Sequence, residues 1–161
     1  MTEAEDTICL RIASPARMRN LGEKLGKMLE PGSIILLTGP LGSGKTTLTQ
    51  GIAKGLQSSG VINSPTFTLL KEHTTGRIPL YHFDFYRVDD QAEVWSLGFD
   101  DYFSGQGVCV IEWAERTPDI WGDDWLWIRI EQTLPQERMA CLHASGPKST
   151  AYAQKLKGAI R

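Results

Sequence analysis

Ser33-Ile34-Ile35-Leu36-Leu37-Thr38 is a continuous apolar run, and the eight residues after it are Gly39-Pro40-Leu41-Gly42-Ser43-Gly44-Lys45-Thr46. No other feature limits the fold so strongly. An apolar run without alternation is the signature of a strand covered on both faces in a parallel sheet. The segment behind it satisfies G-x-x-x-x-G-K-[ST], and a helix is predicted over Lys45 to Leu56. Strand, glycine loop and helix in that order commit the chain to a layered α/β architecture.

The loop also carries chemistry. Its glycines let the backbone curl until successive N–H groups point inward at phosphate oxygens. The positive end of the following helix adds to that attraction. Lys45 supplies a mobile charge for the outer phosphates, and the Thr46 hydroxyl can ligate Mg²⁺. The blander alternative is a glycine turn with an exposed lysine, which leaves the flanking strand and helix unexplained. The pattern predicts a nucleotide phosphate site.

Other elements follow from local signals. Thr7 to Ile12 reads as a strand and Met1 to Asp6 as a frayed terminus. Ser14-Pro15 starts a helix, with Ser capping free N–H groups and Pro in the first turn. Met18, Leu21, Leu25, Met28 and Leu29 line one face of it, and Pro31-Gly32 ends it. Thr66 to Lys71 and Pro79 to Val88 are predicted strands, and Gln91 to Leu97 a short helix. Gly107 to Glu112 is a second apolar strand. Trp125 to Glu131 and Arg138 to Ala144 should pair as a hairpin, and Thr150 to Ile160 should close the chain as a helix. The expectation is one domain with a parallel sheet core and antiparallel additions.

A phosphate loop needs a carboxylate on the metal side. Val108-Cys109-Val110-Ile111-Glu112 is a buried strand ending in an acid, the Walker B pattern with Glu for the usual Asp. The alternative is a solvated acid at a strand end. Asp84, in His82-Phe83-Asp84-Phe85-Tyr86-Arg87, is a second acid, flanked by apolar neighbours that make it expensive to bury unpaired. It either forms a structural pair with Arg87 or serves metal and water. Thr66 in Ser64-Pro65-Thr66 can reach metal and γ-phosphate as switch threonines do, or it is ordinary turn chemistry. Trp113 follows Glu112 and is placed at the site mouth. Trp95, Trp121, Trp125 and Trp127 are assigned to core or partner surface.

Composition excludes several classes. Lys+Arg 17 against Asp+Glu 19 gives a net charge of −2, which argues against nucleic acid held by bulk electrostatics. No apolar run approaches the ~18 residues of a membrane span, and the acidic start is unlike a signal peptide. Cys9, Cys109 and Cys141 are odd in number and set among apolar residues, which reads as buried thiols in a reducing compartment. Cys141 and His143 can share a strand face, but two ligands do not make a zinc site. The chain lacks N-K-x-D, so ATP is favoured over GTP. It shows no arginine-rich lid, and it is too short for a ring-forming ATPase.

Taken in order, the phosphate loop, Ser64-Pro65-Thr66-Phe67-Thr68-Leu69, His82-Phe83-Asp84-Phe85-Tyr86-Arg87, Asp101-Tyr102-Phe103 and Ile111-Glu112-Trp113 resemble the bacterial TsaE (YjeE) family. The resemblance spans about Ser14 to Arg138. It implies a P-loop NTPase-like three-layer fold, a parallel central sheet flanked by antiparallel strands. It also implies weak, partner-dependent, Mg²⁺-dependent hydrolysis of ATP to ADP in tRNA threonylcarbamoyladenosine biosynthesis. The implied partner is a TsaB–TsaD-type heterodimer, with tRNA reached through that complex, in the cytoplasm and away from membranes. By resemblance, Lys45 and Thr46 match the phosphate and Mg²⁺ residues, Glu112 the acidic metal-side residue, and Asp84 the essential aspartate. Thr66 matches the switch-like threonine and Trp113 the tryptophan beside the acid. Ser14 and Arg138 fall where the family flanks the base. Gly39, Leu41, Gly42, Ser43, Gly44 and Thr47 complete the expected nucleotide contacts. Pro40 departs from the Asp or Asn common there. Two rivals remain on residues alone: a small-molecule kinase and a nucleotide-binding module whose hydrolysis is irrelevant.

Overall fold

A computed structural model describes residues 7–117 and 120–160, so the frayed terminus expected at Met1–Asp6 lies outside the described residues. Seven strands form one mixed sheet: β1 (Ile8–Ile12), β2 (Ile34–Thr38), β3 (Leu70–His73), β4 (Leu80–Asp84), β5 (Val108–Glu112), β6 (Trp125–Leu134) and β7 (Glu137–Ala144). Their spatial order is β1-β7-β6-β2-β5-β4-β3. The four middle strands, β6, β2, β5 and β4, run parallel, and β7-β1 and β3 extend them antiparallel. The expected parallel core with antiparallel flanks is thus found.

Both faces of the sheet are covered, as the unbroken apolar strands required. Ile35 and Leu37 point to one core, built with α1 (Pro15–Met28), α2 (Lys45–Gly55) and α5 (Pro147–Ala159). Ile34 and Leu36 point to the other, where α3 (Gln91–Ser96), α4 (Asp100–Phe103) and a cluster of aromatic rings lie. Phe83 sits at the centre of that cluster, edge-on to Phe85, Phe99 and Tyr102. Trp121 and Trp127 are buried there, and Trp95 stays on the surface.

Helices α1 and α2 meet backbone to backbone. A Cβ on Gly22 would run into the Leu48 carbonyl, and one on Gly51 into that of Arg19. Gly26 and Gly55 repeat the arrangement one turn on. Because α1 is held that close, its start lies beside the phosphate loop. The Ser14 hydroxyl caps it by accepting from the Arg17 N–H at 3.2 Å.

Four expectations need correction. The strand predicted over Thr66 to Lys71 begins only at Leu70, because Leu69 turns left-handed at φ 64° and its N–H closes on the Pro65 carbonyl at 2.8 Å. The strand predicted over Pro79 to Val88 stops at Asp84, which releases its chain into the site. The cysteines are not all free thiols. Cys9 and Cys141 face each other in the β1–β7 register and form a disulfide, leaving Cys109 free and buried. Their 132-residue separation hid the pairing. The last helix also starts earlier than Thr150, at Pro147.

No helix among the described residues is long and apolar enough to cross a membrane.

Candidate functional site

The carboxyl ends of β2, β4 and β5 finish together, since Glu112 is paired with Leu37 on one side and Asp84 on the other. In parallel sheets that edge is where ligands bind. The loop leaving β2 curls through left-handed glycines at Gly42 (φ 77°) and Gly44 (φ 114°) before entering α2. Residues with a Cβ adopt such angles only at a cost, so the loop's shape depends on those glycines.

Lys45 and Thr46 open α2, the first turned to the loop and the second to Glu112. Lys45 is only 4% exposed. Its Nζ donates to the carbonyls of Gly39 (2.6 Å) and Pro40 (3.0 Å) and lies 4.3 Å from the Trp113 ring centroid. Burial lowers the pKa of this ammonium, against the opposing charges of Glu112, Glu115 and Asp84. The Thr46 hydroxyl donates to the Glu112 carboxylate, 3.1 and 3.2 Å from its two oxygens. Sixty-six residues apart in sequence, the two ends of the motif meet.

Asp84 and Glu112 are each 3% exposed. Asp84 accepts from the Ser64 and Thr66 hydroxyls and from the Tyr86 N–H (2.9 Å). The structural pair with Arg87 is not made: that guanidinium lies over the exposed Phe67 ring at 4.5 Å. Thr66 therefore joins the site through Asp84. Trp113 leaves β5 at φ 59°, a backbone cost of about 1–3 kcal/mol for a non-glycine residue. That turn sets its ring over Lys45, with Tyr86 against it at 4.9 Å. Strain of this kind persists only where the surroundings enforce it.

Two cavities meet at Gly42, Ser43, Gly44 and Thr47. One, of 340 Å³, is lined by Leu41, Lys45, Thr46, Ser64, Thr66, Asp84, Tyr86, Glu112 and Trp113 as well as the shared wall. The other, of 360 Å³, adds Ser14, Pro15, Met18, Pro135, Gln136 and Arg138. Arg138 reaches from β7 to the loop itself, donating from Nε to the Ser43 carbonyl (3.0 Å) and from a terminal nitrogen to that of Gly42 (3.3 Å). Every candidate residue from the sequence except Gly39 thus lines one of the two cavities. Gly39 instead passes under the loop, where a Cβ would strike the Ile130 carbonyl.

Sequence reasoning missed four contributors. Ser64 was present in its motif but not assigned to Asp84, and His82 lies 2.5 Å from Glu112. Pro15 and Pro135 furnish apolar walls that carry no motif at all.

Chemically, the phosphate-side cavity offers a lysine charge, loop amides at a helix start, a hydroxyl and two carboxylates. Thr46 and Glu112 are oxygen donors, which suit a hard cation such as Mg²⁺. Among the described residues no group of three or more His, Cys, Asp or Glu could hold a metal by itself. Mg²⁺ ordinarily takes one or two protein oxygens and completes its shell with phosphates and water, so the donor set fits.

The family model described as "Threonylcarbamoyl adenosine biosynthesis protein TsaE" matches residues 12–140. The tRNA threonylcarbamoyladenosine biosynthesis protein TsaE of Bacillus subtilis is 43% identical over 129 residues, 80% of this chain and 72% of that protein. Its Nostoc counterpart is 55% identical over 103 residues, 62% of this chain and 63% of the relative. The crystal structure of Bacillus subtilis YdiB superposes with a TM-score of 0.81 at 32% identity, covering 99% of this chain and 100% of that one. The chain belongs to the TsaE family of threonylcarbamoyl adenosine biosynthesis proteins.

Proposed function

We propose that the chain is a Mg²⁺-dependent ATPase that serves tRNA threonylcarbamoylation, at the adenosine 3′ of the anticodon in tRNAs reading codons that begin with A. The observation that carries this is the contact between Thr46 and Glu112 at the mouth of a phosphate loop already holding Lys45. The triphosphate lies along the backbone N–H groups of Leu41 to Thr46, with Lys45 on the outer phosphates. Mg²⁺, when bound, offsets charge on the β- and γ-phosphates. Thr46 and Glu112 are the residues that would hold the cation, directly or through water. Asp84, held by Ser64, Thr66 and the Tyr86 amide, lines the phosphate-side cavity and can take up the proton of an attacking water. The base and sugar occupy the second cavity, between Ser14, Pro15 and Met18 on one side and Pro135 and Arg138 on the other.

Hydrolysis by the chain alone is slow, because in-line transfer needs further positive charge on the γ-phosphate. Arg87 and Arg116 are engaged with the rings of Phe67 and Tyr86 rather than aimed into the cavity. A TsaB–TsaD-type heterodimer closes over the mouth and completes it, and tRNA is met only through that complex. The exposed Leu41, Phe67 and Tyr86 around the opening support such docking. The Cys9–Cys141 bond removes the cysteine argument for a reducing compartment. A cytoplasmic placement rests instead on the tRNA substrate.

The test is phosphate release and pull-down with purified partners in ATP and ADP. Partners should raise turnover, and affinity for them should fall when ADP replaces ATP. Equal partner affinity in both nucleotides with unchanged turnover would defeat the switch. Transfer of labelled phosphate to an acceptor instead of free phosphate would make the chain a kinase.

A further inference from the structure

His82 belongs to the His-Phe-Asp-Phe-Tyr-Arg segment, and the proposed mechanism uses neither of its ring nitrogens. It lies two residues before Asp84 on β4, so both side chains fall on the same side of that strand. The ring is 0% exposed, and Nε2 is 2.5 Å from one oxygen of Glu112, the same oxygen that the Thr46 hydroxyl reaches at 3.2 Å. Its other nitrogen, Nδ1, has no partner among the described residues.

That asymmetry is informative. An unpartnered buried polar atom costs free energy, so the bond from Nε2 to Glu112 is what a polar ring contributes at this position. Here an apolar ring would pack against the sheet without leaving Nδ1 orphaned. The polar ring gains only the bond to Glu112. With Glu112 accepting from a hydroxyl, Nε2 carries the proton and donates it to the carboxylate. The carboxylate is then held between two donors from different elements, β4 and α2, and its rotation about the last side-chain bond is restricted.

From this geometry we infer that His82 is a positioning residue that fixes the Glu112 carboxylate toward Thr46 and so presets the protein side of the cation shell. The inference rests on the nucleotide reading given above. Outer-shell partners of metal-site carboxylates and imidazoles typically contribute about 10–100-fold to metal affinity or activity.

The test is calorimetric titration of ADP in excess Mg²⁺ and again in EDTA, with melting curves alongside, for the unaltered chain and for His82→Leu, His82→Gln and His82→Asn. His82→Gln can place an amide N–H near the position of Nε2, whereas the shorter asparagine falls short of Glu112. The expected result is that His82→Leu and His82→Asn lose about 10–100-fold of the Mg²⁺-dependent gain in affinity. Affinity in EDTA stays unchanged, and His82→Gln recovers most of the gain. If His82→Leu fails to fold, the Gln–Asn pair decides. Equal Mg²⁺ dependence in Gln and Asn, or a loss of affinity that is the same with and without Mg²⁺, would overturn the inference. Failure of the nucleotide reading looks different, because ADP would then bind nowhere or would bind Lys45→Ala unchanged.

Discussion

The two cavities on either side of the Gly42–Gly44 turn differ in almost every respect except that shared wall. The phosphate side is lined by charged groups that are nearly fully buried and hydrogen-bonded to neutral partners: Lys45 to loop carbonyls, Glu112 to Thr46, Asp84 to Ser64, Thr66 and the Tyr86 amide. The base side is formed by Pro15, Met18 and Pro135, with Arg138 tied back to the loop. One side holds its shape through polar bonds and the other through packing and a hairpin. Geometry that must act on charge is fixed by many hydrogen bonds, whereas a flat apolar wall needs only to be close.

Breaking the phosphate side should have the largest effect. Lys45→Ala removes the mobile charge, and ATP affinity should fall at least ~100-fold by calorimetry, in line with the loss of a buried charge-assisted contact worth several kcal/mol when its partner is ionised. Asp84→Ala should come next. Turnover should drop about 10²–10³-fold, the scale of a lost proton-transfer group, with nucleotide affinity changed only a few-fold. Its melting temperature should also fall, since Ser64, Thr66 and the Tyr86 N–H lose an acceptor at about 1–3 kcal/mol for a buried donor left unmade. An Asp84→Ala protein that melts early yet hydrolyses ATP normally would make that residue structural and erase half of the contrast.

On the base side the effects should be smaller. Arg138→Ala frees the Ser43 and Gly42 carbonyls and the hairpin turn, and should cost about 1–2 kcal/mol of ATP affinity, roughly tenfold. Inorganic tripolyphosphate, which has no base, should be weakened several-fold less by the same change. The smallest effect is expected where the hairpin meets β1. Hydrogen bonding and charge from Arg11, 2.7 Å away, hold the Glu137 carboxyl below its ordinary range, with Thr133 assisting. A depressed carboxyl contributes stability above its unfolded value and loses it as pH falls through the folded value. Glu137→Gln should therefore lower the melting temperature slightly at neutral pH, with the difference from the parent vanishing in acid. A difference that persists below both values would point to packing rather than charge.

The same contrast governed what could be read from the sequence. The loop and Glu112 announce themselves locally, because an apolar strand ending in an acid, a glycine turn and a helix start are each contiguous in the chain. Asp84 does not, since its neighbours alone allow a pair with Arg87 equally well. The base-side wall does not, since Ser14 and Arg138 are brought to one cavity only by the β1–β7 pairing and by the close approach of α1 to α2. The Gly22/Gly26 and Gly51/Gly55 pairs were the available signal for that approach. Leu69 misled for a different reason: its apolar neighbours suggest a strand, but its left-handed backbone is imposed by the turn onto Pro65. The Cys9–Cys141 bond depends wholly on strand register, which composition cannot supply.

The most direct test of the divided site is a pair of calorimetric titrations, Mg²⁺·ATP and Mg²⁺·tripolyphosphate, into the unaltered chain and into Lys45→Ala. The unaltered chain should bind both, ATP the more tightly, and Lys45→Ala should lose both together. Unchanged binding of both ligands to Lys45→Ala, or equal affinity of the unaltered chain for ATP and tripolyphosphate, would contradict the divided site.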